Sequence, residues 1–456
     1  MQVLYQRCCG IDLHKKMIVA CLLMCTAQGV QKEIQTFGTM LQDLYRFRDW
    51  LKANACEAVA MESTGVFWKP IWNVLEGEME LLLVNAQHIK TVPGRKTDIK
   101  DAQWIADLLQ HGLLQASFVP PRPQRELREL TRYRSSLSGE RARLVNRMHK
   151  VLEDTNLKLT SVITDITGKS GRAILHAMLQ GEQDPEVLAE LARGRLRDKR
   201  PQLMEAVQGT LSQHHRFLLS SQLRQLDFLD RQLAELDQEI ATRLGVGNRP
   251  DDPDPEVGQP VNAQAQPERA ETELAERMSS PAAPLERSMV LSGAQVIDLL
   301  DQVTGINVRI GEIIVAEIGT GVDRFPTQAH ICSWAGLCPE ANISAGKRLS
   351  NTTGKGNRWL RQALIEAANA AARSKRTFLG AYYQRLRKRM GHKKAIVALA
   401  HRLLVLIYAL LKHQHPYQER GPDFAEEKAV EATKRWALRR LEQLGYQVTL
   451  QPAALA

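Results

Sequence analysis

The sequence predicts a chain with an α/β domain at its N-terminus and two helical regions after it. Short apolar runs alternate with helical patterns over residues 1–118, which is typical of a sheet with helices packed on it. Three prolines, Pro120, Pro121 and Pro123, end that alternation, and the sequence beyond them is helical and strongly charged. At 456 residues, the chain is long enough for two or three domains.

The first domain contains four predicted strands. They are short apolar runs at residues 3–9, 17–24, 58–61 and 81–84. Between the second and third runs, residues 41–53 repeat apolar side chains at helical spacing, so we predict a helix there.

The middle region, residues 124–245, repeats leucine at heptad spacing. One repeat runs from Leu130 to Val151, and Arg134 and Arg141 interrupt its companion seam. A second stretch steps by threes and fours through Leu219, Leu223, Leu226, Leu229, Leu233, Leu236 and Ile240. Two such helices predict either an antiparallel coiled-coil arm or an ordinary helical bundle, and periodicity alone does not decide between them.

Three further segments follow. Residues 246–289 are rich in proline and acids and contain no aromatic residue, so we expect a flexible linker. Residues 290–416 are helical, and residues 417–456 form an extension with one amphipathic helix at 423–444. The charge is concentrated before this extension, where residues 341–416 hold sixteen lysines and arginines against one acid.

The overall charge favours a polyanionic partner. The chain has a net charge of +10 and a pI of about 9.3. We do not expect a membrane segment, because the uncharged apolar run at 17–25 is too short and the run at 395–411 contains His401 and Arg402. Seven cysteines without a paired metal-binding spacing predict reduced thiols and a cytoplasmic protein.

Four carboxylates of the first domain stand at positions typical of a metal site. Asp12 and Glu62 each follow a predicted strand, and Asp98 and Asp101 are three residues apart on a predicted helix. Residues at that helical spacing share a face. Two divalent ions held by such carboxylates can stabilise the attacking and leaving oxygens of phosphoryl transfer. The alternatives are turn residues and a solvated helix face, and Asp107 is a further possible ligand.

The helical domain holds a candidate DNA-contacting turn and a candidate nucleophile. Residues 303–307, with Gly305 at the turn, resemble a helix-hairpin-helix, whose backbone N–H groups can approach a phosphate. Ser344 lies in a loop of small residues beside Lys347 and Arg348, where it can act as a nucleophile or contact a phosphate. The residues that we expect to contact nucleic acid are Gly305, Lys347, Arg348, Lys355, Asn357, Arg358, Arg385, Arg387, Lys388, Arg389, Lys393 and Lys394.

No nucleotide-hydrolysis motif accompanies these features. Gly168, Lys169 and Ser170 look like the end of a phosphate-binding loop, but Ile163 stands where its first glycine is required. A protein that rejoined DNA strands without ATP would have to conserve the energy of the phosphodiester bond that it cut. A covalent bond between a serine and the DNA phosphate would conserve that energy.

Together, these motifs resemble insertion-sequence transposases of the IS-one-ten type. Asp12 lies in GIDLHK, Glu62 in MESTGVFW, and Asp98 and Asp101 in GRKTDIKDAQWIADLL, which look like the family's DEDD set. The stretch AGLCPEANISAGKR, followed by GKGNRWLRQAL, resembles the family's C-terminal transposase domain. The region between the two sets resembles the family's coiled coil.

The resemblance implies a RuvC-like fold of the RNase H type for the first domain, then a coiled-coil region and an all-α domain with a helix-hairpin-helix. It implies that Asp12, Glu62, Asp98 and Asp101 bind Mg²⁺, as two ions in a composite site, and that Ser344 is the nucleophile. It also implies donor and target DNA as substrates, a structured non-coding guide RNA, and assembly as a homodimer or homotetramer associated with the nucleoid when active.

Two other functions fit the same residues. A hydrolytic, junction-resolving nuclease would use the carboxylates to activate water, and Ser344 would only contact a phosphate. A nucleic-acid-binding scaffold would use the carboxylates structurally. The nuclease leaves free DNA ends without a protein adduct, and the scaffold binds equally well in EDTA.

Overall fold

The computed structural model describes residues 3–27, 29–63, 65–85, 98–246, 291–339, 343–344, 347–348, 353–354, 356–443 and 445. The chain divides into two compact units, Met1–Pro121 and Arg122–Ala456. The predicted linker at 246–289 lies outside the described residues except for its first position.

The first unit is built on one six-stranded sheet. Its strands are β1 (Arg7–Leu13), β2 (Met17–Thr26), β3 (Gly29–Gly38), β4 (Ala58–Glu62), β5 (Glu80–Val84) and β6 (Ala116–Ser117). They lie in the order β3-β2-β1-β4-β5-β6. The β1–β2, β2–β3 and β5–β6 pairs are antiparallel, whereas β4 runs parallel to both β1 and β5.

Helices cover both faces of this sheet. They are α1 (Leu41–Ala53), α2 (Trp68–Leu75) and α3 (Asp98–Gln110). Along β1, Cys9 and Ile11 belong to the apolar cluster with α1 and α2, while Cys8 belongs to the cluster with α3. Burial raises the pKa of the Cys8 thiol to about 12, so it stays neutral and serves as a small core residue.

The predicted mixed α/β architecture is confirmed, and the strands at 17, 58 and 81 begin within one residue of their predicted positions. The first strand starts four residues later than predicted, at Arg7. Two strands were missed. One is β3, whose polar side chains alternate between half-buried and exposed because it forms an edge of the sheet, and the other is the two-residue β6.

Gly10 sets the distance between β1 and α3. A Cβ atom at this position would lie 2.3 Å from the backbone N of Ala106 and 2.4 Å from the carbonyl O of Ala102. Because both contacts are to backbone atoms, a side chain could be accommodated only if the helix moved away from the sheet.

We therefore expect Gly10→Ala to lower the free energy of unfolding by about 1–3 kcal/mol through overpacking. Gly139→Ala is the matched control, because Gly139 is half-buried within the helix Arg122–Asp154 and its Cβ would meet only the side chain of Arg143, at 3.6 Å. The control should be neutral or slightly stabilising, since alanine favours helix. Urea denaturation of both full-length variants measures the difference, and an unchanged midpoint for Gly10→Ala contradicts the prediction.

The second unit begins with an antiparallel pair of long helices. They are α4 (Arg122–Asp154) and α9 (Gln213–Leu244), and several short helices lie between them in the sequence. Arg134 of α4 pairs with Asp237 of α9, and Arg141 pairs with Asp230 at 2.6 Å. As positions rise along one helix they fall along the other, which shows the antiparallel direction. The arginines that interrupt the heptad seam are thus matched by aspartates of the facing helix. A supercoiled seam stays a prediction.

Four short α-helices and one 3-10 helix between α4 and α9 form a cap on one end of the pair. The α-helices are α5 (Leu159–Val162), α6 (Lys169–Gln180), α7 (Pro185–Glu190) and α8 (Arg200–Ala206), and the 3-10 helix, Gly194–Lys199, directly precedes α8. Their apolar side chains join those of the long helices in one core, which includes Leu144, Ile174, Leu188 and Leu223.

The rest of the unit packs around a second core. Its helices are α10 (Gly293–Asp301), α11 (Val308–Ile318), α12 (Gln328–Trp334), α13 (Arg358–Arg373), α14 (Phe378–Met390) and α15 (His392–His413), and α16 (Phe424–Gln443) follows. By length and composition α15 could cross a membrane. Its buried residues, among them Leu399 and Leu403, belong to this core instead.

The prediction of an all-α domain here was wrong in one place. Two short strands, β7 (Ile343–Ser344) and β8 (Lys347–Arg348), pair as an antiparallel hairpin. The β-branched Ile343 suits a strand, and a connection of only two residues suits a tight hairpin.

Candidate functional site

Asp12 and Glu62 lie on neighbouring parallel strands. Ile11 of β1 is in register with Met61 of β4, so the next residue of each strand is Asp12 or Glu62. Along β4, Ala58 and Ala60 face α3, and Glu62 follows them at the same alternation. On β1, Cys8 faces α3, and Asp12 comes four residues later, so it lies on the same face of the strand. The two carboxylates are therefore on the α3 face, at the same end of two adjacent strands.

The N-terminal end of α3 lies at that end of the sheet. The helix packs on β1 with Ala102 and Ala106 against Gly10, and its sheet-facing positions include Ile105. Asp98 and Asp101 precede Ala102 and Ile105 by four residues, so both occupy the sheet-facing stripe of the first turn. The side chain of Asp98 lies outside the described residues.

The immediate contacts of Asp12 keep its carboxylate in place. One oxygen accepts the backbone N–H of Leu13 at 2.9 Å, and the other is 3.2 Å from Nε2 of His14. The side chain is 13% exposed, which leaves it accessible from one side. Asp107, the alternative ligand, lies further along α3 and pairs with Lys32 of β3 at 3.3 Å. That contact places it outside the cluster.

This donor set suits a hard divalent cation, because it consists of carboxylate oxygens from separate elements. In the described part of the chain no three metal-binding side chains lie close enough to form a site by themselves. The fit to two ions therefore depends on Asp98, whose backbone alone is described, and on phosphate oxygens of the substrate.

Ser344 lies at the end of the hairpin in the second unit. It is paired with Lys347 across the two strands, and Ile343 is paired with Arg348. Residues 345 and 346, which connect the strands, lie outside the described part, as do the side chains of Ser344, Lys347 and Arg348 and the whole of Lys355. The pairing brings the backbone of Ser344 beside that of Lys347.

Both ends of the loop that carries the hairpin are fixed to the domain core. Pro339 forms a bridge with Thr353, and the N–H of Gly354 donates to the carbonyl O of Cys338 at 3.3 Å. Gly356 packs on the backbone of the turn after α12, where an added Cβ would lie 2.2 Å from N of Gly336. Gly336 and Gly356 therefore allow the turn after α12 to contact the backbone at the end of the loop.

Asn357 has a structural role that the sequence analysis missed. Its Oδ1 accepts the N–H groups of Trp359 and Leu360, both at 3.1 Å, and so caps α13. Its Nδ2 donates to Glu317 at 2.7 Å. Both polar atoms of the side chain are engaged within the protein. The predicted contact of Asn357 with nucleic acid therefore has no support in this structure.

Glu317 connects Asn357, which follows this loop, to the long helix α4. Its side chain is fully buried and accepts two parallel bonds from Arg132 of α4, at 2.7 and 2.8 Å. Arg128 lies 3.3 Å from the same carboxylate. Burial lowers the pKa of Arg128 to about 10, and the charge of Glu317 opposes that shift, so the guanidinium remains charged at neutral pH.

We expect Glu317→Ala to lower the free energy of unfolding by about 3–5 kcal/mol, because it leaves two arginines and an amide without their buried partner. Glu239→Ala is the matched control, since it removes only an exposed ion pair with Arg243 on α9. Thermal unfolding of both variants gives the comparison. Similar melting temperatures for the two would show that the buried cluster contributes no more than a surface pair.

A basic surface covers the end of α14 and the start of α15. All of its cations are exposed, and none forms an ion pair with a described acidic residue: Arg385, Arg387, Lys388, Arg389, Lys393 and Lys394. Arg358 is also exposed and lies over the ring of Trp359, 4.5 Å from its centroid. Such a concentration of unpaired cations suits the phosphates of nucleic acid.

Gly305 lies in the predicted turn and packs against another helix of the domain. It has a φ of +94° in the turn between α10 and α11, and an added Cβ would lie 2.4 Å from the carbonyl O of Ala367 on α13. The glycine is therefore required where the turn packs on α13. Contact of this turn with a phosphate, and with it the helix-hairpin-helix, stays a prediction.

Two transposase families match the chain. A DEDD transposase family of the IS110 type matches residues 9–157, which include the four carboxylates. A second, described as the transposase IS116/IS110/IS902 family, matches residues 297–384, which include Ser344. An uncharacterized 43.6 kDa protein of insertion element IS110 from Streptomyces coelicolor is 32% identical over 130 residues, which cover 27% of this chain and 31% of that protein.

Proposed function

Because the chain belongs to the IS110 family of transposases, we propose that it cuts and rejoins the DNA of an insertion sequence through a phosphoserine intermediate. The match spans about a third of the Streptomyces protein, so the activity of the whole chain is inferred from its own residues. The observation that carries the proposal is the strand register that brings Asp12 and Glu62 to the N-terminal end of α3.

An RNase H-like fold is part of the proposal. Three antiparallel strands, β3, β2 and β1, followed by the parallel strands β4 and β5, give the mixed sheet that such a domain requires. Asp12, Glu62, Asp98 and Asp101 would hold two Mg²⁺ ions, which stabilise charge on the attacking and leaving oxygens when bound.

The serine step follows from the chemistry of its hydroxyl. The Oγ of Ser344 attacks a DNA phosphorus and gives up its proton as the O–P bond forms, and the bond from phosphorus to the leaving deoxyribose oxygen breaks as that oxygen takes up one proton in exchange. Lys347 and Arg348 would stabilise the negative charge that develops on the phosphate. Attack by the hydroxyl of a second DNA strand reverses the step and releases the serine, so no ATP is needed.

Four finer proposals follow. A structured non-coding RNA would direct the protein to its donor and target DNA, and the exposed cations of α14 and α15 would bind nucleic-acid phosphates. The protein would work as a homodimer or homotetramer, with carboxylates of one subunit acting beside the serine of another. It would act in the cytoplasm, at the nucleoid.

The test is to look for a covalent product. Full-length protein, Mg²⁺, end-labelled donor DNA and the transcript that flanks the element are incubated without ATP and separated on a denaturing gel. We expect a labelled band at the mass of the protein. Cleavage that gives only free DNA ends would instead assign the protein to hydrolytic nucleases, and DNA binding without cleavage, unchanged in EDTA, would assign it to binding scaffolds.

A further inference from the structure

A groove of about 670 Å³ lies in the second unit. The residues that line it come after the Ser344 hairpin in the sequence. Its walls come from the start of α14, the second half of α15 and the segment from His415 to Phe424. This volume is within the range of pockets that bind small organic groups. Neither the carboxylates nor the serine chemistry gives it a role.

Three aromatic rings line this groove. Phe378 begins α14, Phe424 begins α16, and Tyr417 lies between α15 and α16. The rings of Phe378 and Phe424 are 5.7 Å apart and nearly perpendicular, at 73°. All three side chains are half-buried, so each is partly held by the protein and partly accessible from the groove. A flat aromatic guest can stack on such a surface.

Two arginines complete the same groove. The guanidinium of Arg420 lies 4.6 Å from the ring centroid of Phe424, and that of Arg402 lies 5.9 Å from Phe378. Both side chains are exposed, and no acidic residue is among the described residues that line the groove. The nearby Glu419 is exposed, and its carboxylate accepts the N–H of Phe378 at 2.9 Å and the hydroxyl of Tyr417 at 2.9 Å.

Aromatic side chains beside two arginines are complementary to a base and its phosphate. We propose that this groove binds an unpaired nucleotide of the DNA substrate, with the base stacked on the aromatic rings and the phosphate held by Arg402 and Arg420. A paired base inside a duplex has no free face, so the guest must be unstacked. The inference rests on the proposed function for its choice of DNA, which is the substrate that a transposase handles.

The experiment compares two labelled DNA duplexes of the same sequence, one fully paired and one with a five-nucleotide unpaired bubble. Fluorescence anisotropy in EDTA measures binding to the full-length protein, so that cleavage plays no part. We expect Phe424→Ala to weaken binding of the bubble roughly tenfold, with little change for the paired duplex. Phe424→Trp should bind the bubble as wild type does, because it restores a stacking face.

Phe217→Ala is the matched control, since it removes a phenylalanine that is 69% exposed on α9. It should leave both affinities unchanged. Arg420→Gln serves as a second groove variant that keeps the rings, and it should also weaken binding of the bubble selectively. Melting temperatures of all variants show whether the domain is folded, and an unfolded Phe424→Ala leaves the decision to Arg420→Gln.

Three results would overturn the proposal. Equal losses on the bubble and the paired duplex would show a general phosphate contact. A loss only for the same bubble made in RNA would assign the groove to RNA. An altered oligomeric state with unchanged DNA binding would show that the groove holds another protein chain. Selective bubble binding by a protein that forms no serine adduct would support the groove and contradict the proposed transposase chemistry, so the two can fail separately.

Discussion

The Ser344→Ala protein should form no covalent DNA adduct, and its strand exchange should fall at least about 10³-fold. Alanine has no hydroxyl, so no O–P bond to the protein can form. The substitution should not disturb the hairpin, because Ser344 and Lys347 pair through their backbones and alanine keeps those groups. A denaturing gel for the adduct and a time course for joined product measure the two effects.

Ser333→Ala is the control for this prediction. Ser333 is exposed on α12, close in sequence to the loop, and its side chain has no place in the proposed chemistry. This variant should form the adduct at the wild-type rate, and both variants should bind donor DNA with unchanged affinity in EDTA. A full yield of adduct from Ser344→Ala would mean that another residue is the nucleophile.

The placement of the carboxylates could be predicted because it follows from local patterns. An apolar run marks each central strand, and the acid that follows it marks the strand end, so Asp12 and Glu62 were found from their neighbours alone. The strand β1 ends four residues beyond its predicted apolar run and β4 ends one residue beyond its run, so each acid belongs to its strand. The helix that begins at Asp98 was likewise predicted by spacing.

The contacts that hold the serine loop could not be predicted because they join distant parts of the chain. Glu317 is separated from Arg132 by 185 residues and from Asn357 by 40. No local pattern distinguishes such a buried acid from a solvated one. Asn357 stands among lysines and glycines in the sequence, which suggests a phosphate contact, whereas its side chain caps a helix and bonds Glu317.

The imperfect heptad of α4 also depends on contacts with a distant part of the chain, which the sequence of one helix does not reveal. Arg134 and Arg141 interrupt a leucine seam, and a single helix gives no reason for them. The reason lies on α9, where Asp237 and Asp230 face them. Opposite charges across the pair fix the register of the two helices, which leucines alone would leave ambiguous.

Asp12→Asn should reduce the rate of DNA cleavage by about 10³-fold or more, since several kcal/mol of transition-state stabilisation is assigned to the metal ions. The amide has nearly the size of the carboxylate, and its oxygen can still accept the N–H of Leu13. The fold should therefore persist while the anionic ligand is lost. Cleavage rates across a range of Mg²⁺ concentrations measure the effect, with titration calorimetry for Mg²⁺ binding.

Asp107→Asn is the matched control, because Asp107 lies on the same helix as Asp101 but pairs with Lys32. It should cleave at the wild-type rate. Equal losses for the two variants would show that the first domain tolerates no loss of charge, and wild-type cleavage by Asp12→Asn would remove Asp12 from the metal site.

A mixture of Asp12→Asn and Ser344→Ala proteins then tests whether the site is shared between subunits. Each variant lacks one part of the chemistry, but a mixed oligomer can combine the carboxylates of one subunit with the serine of another. Partial recovery of the adduct, formed only on the Asp12→Asn chain, is the expected result. If no adduct returns while mixed oligomers are present, each subunit must join its own carboxylates to its own serine, and the two units of one chain must meet during the reaction.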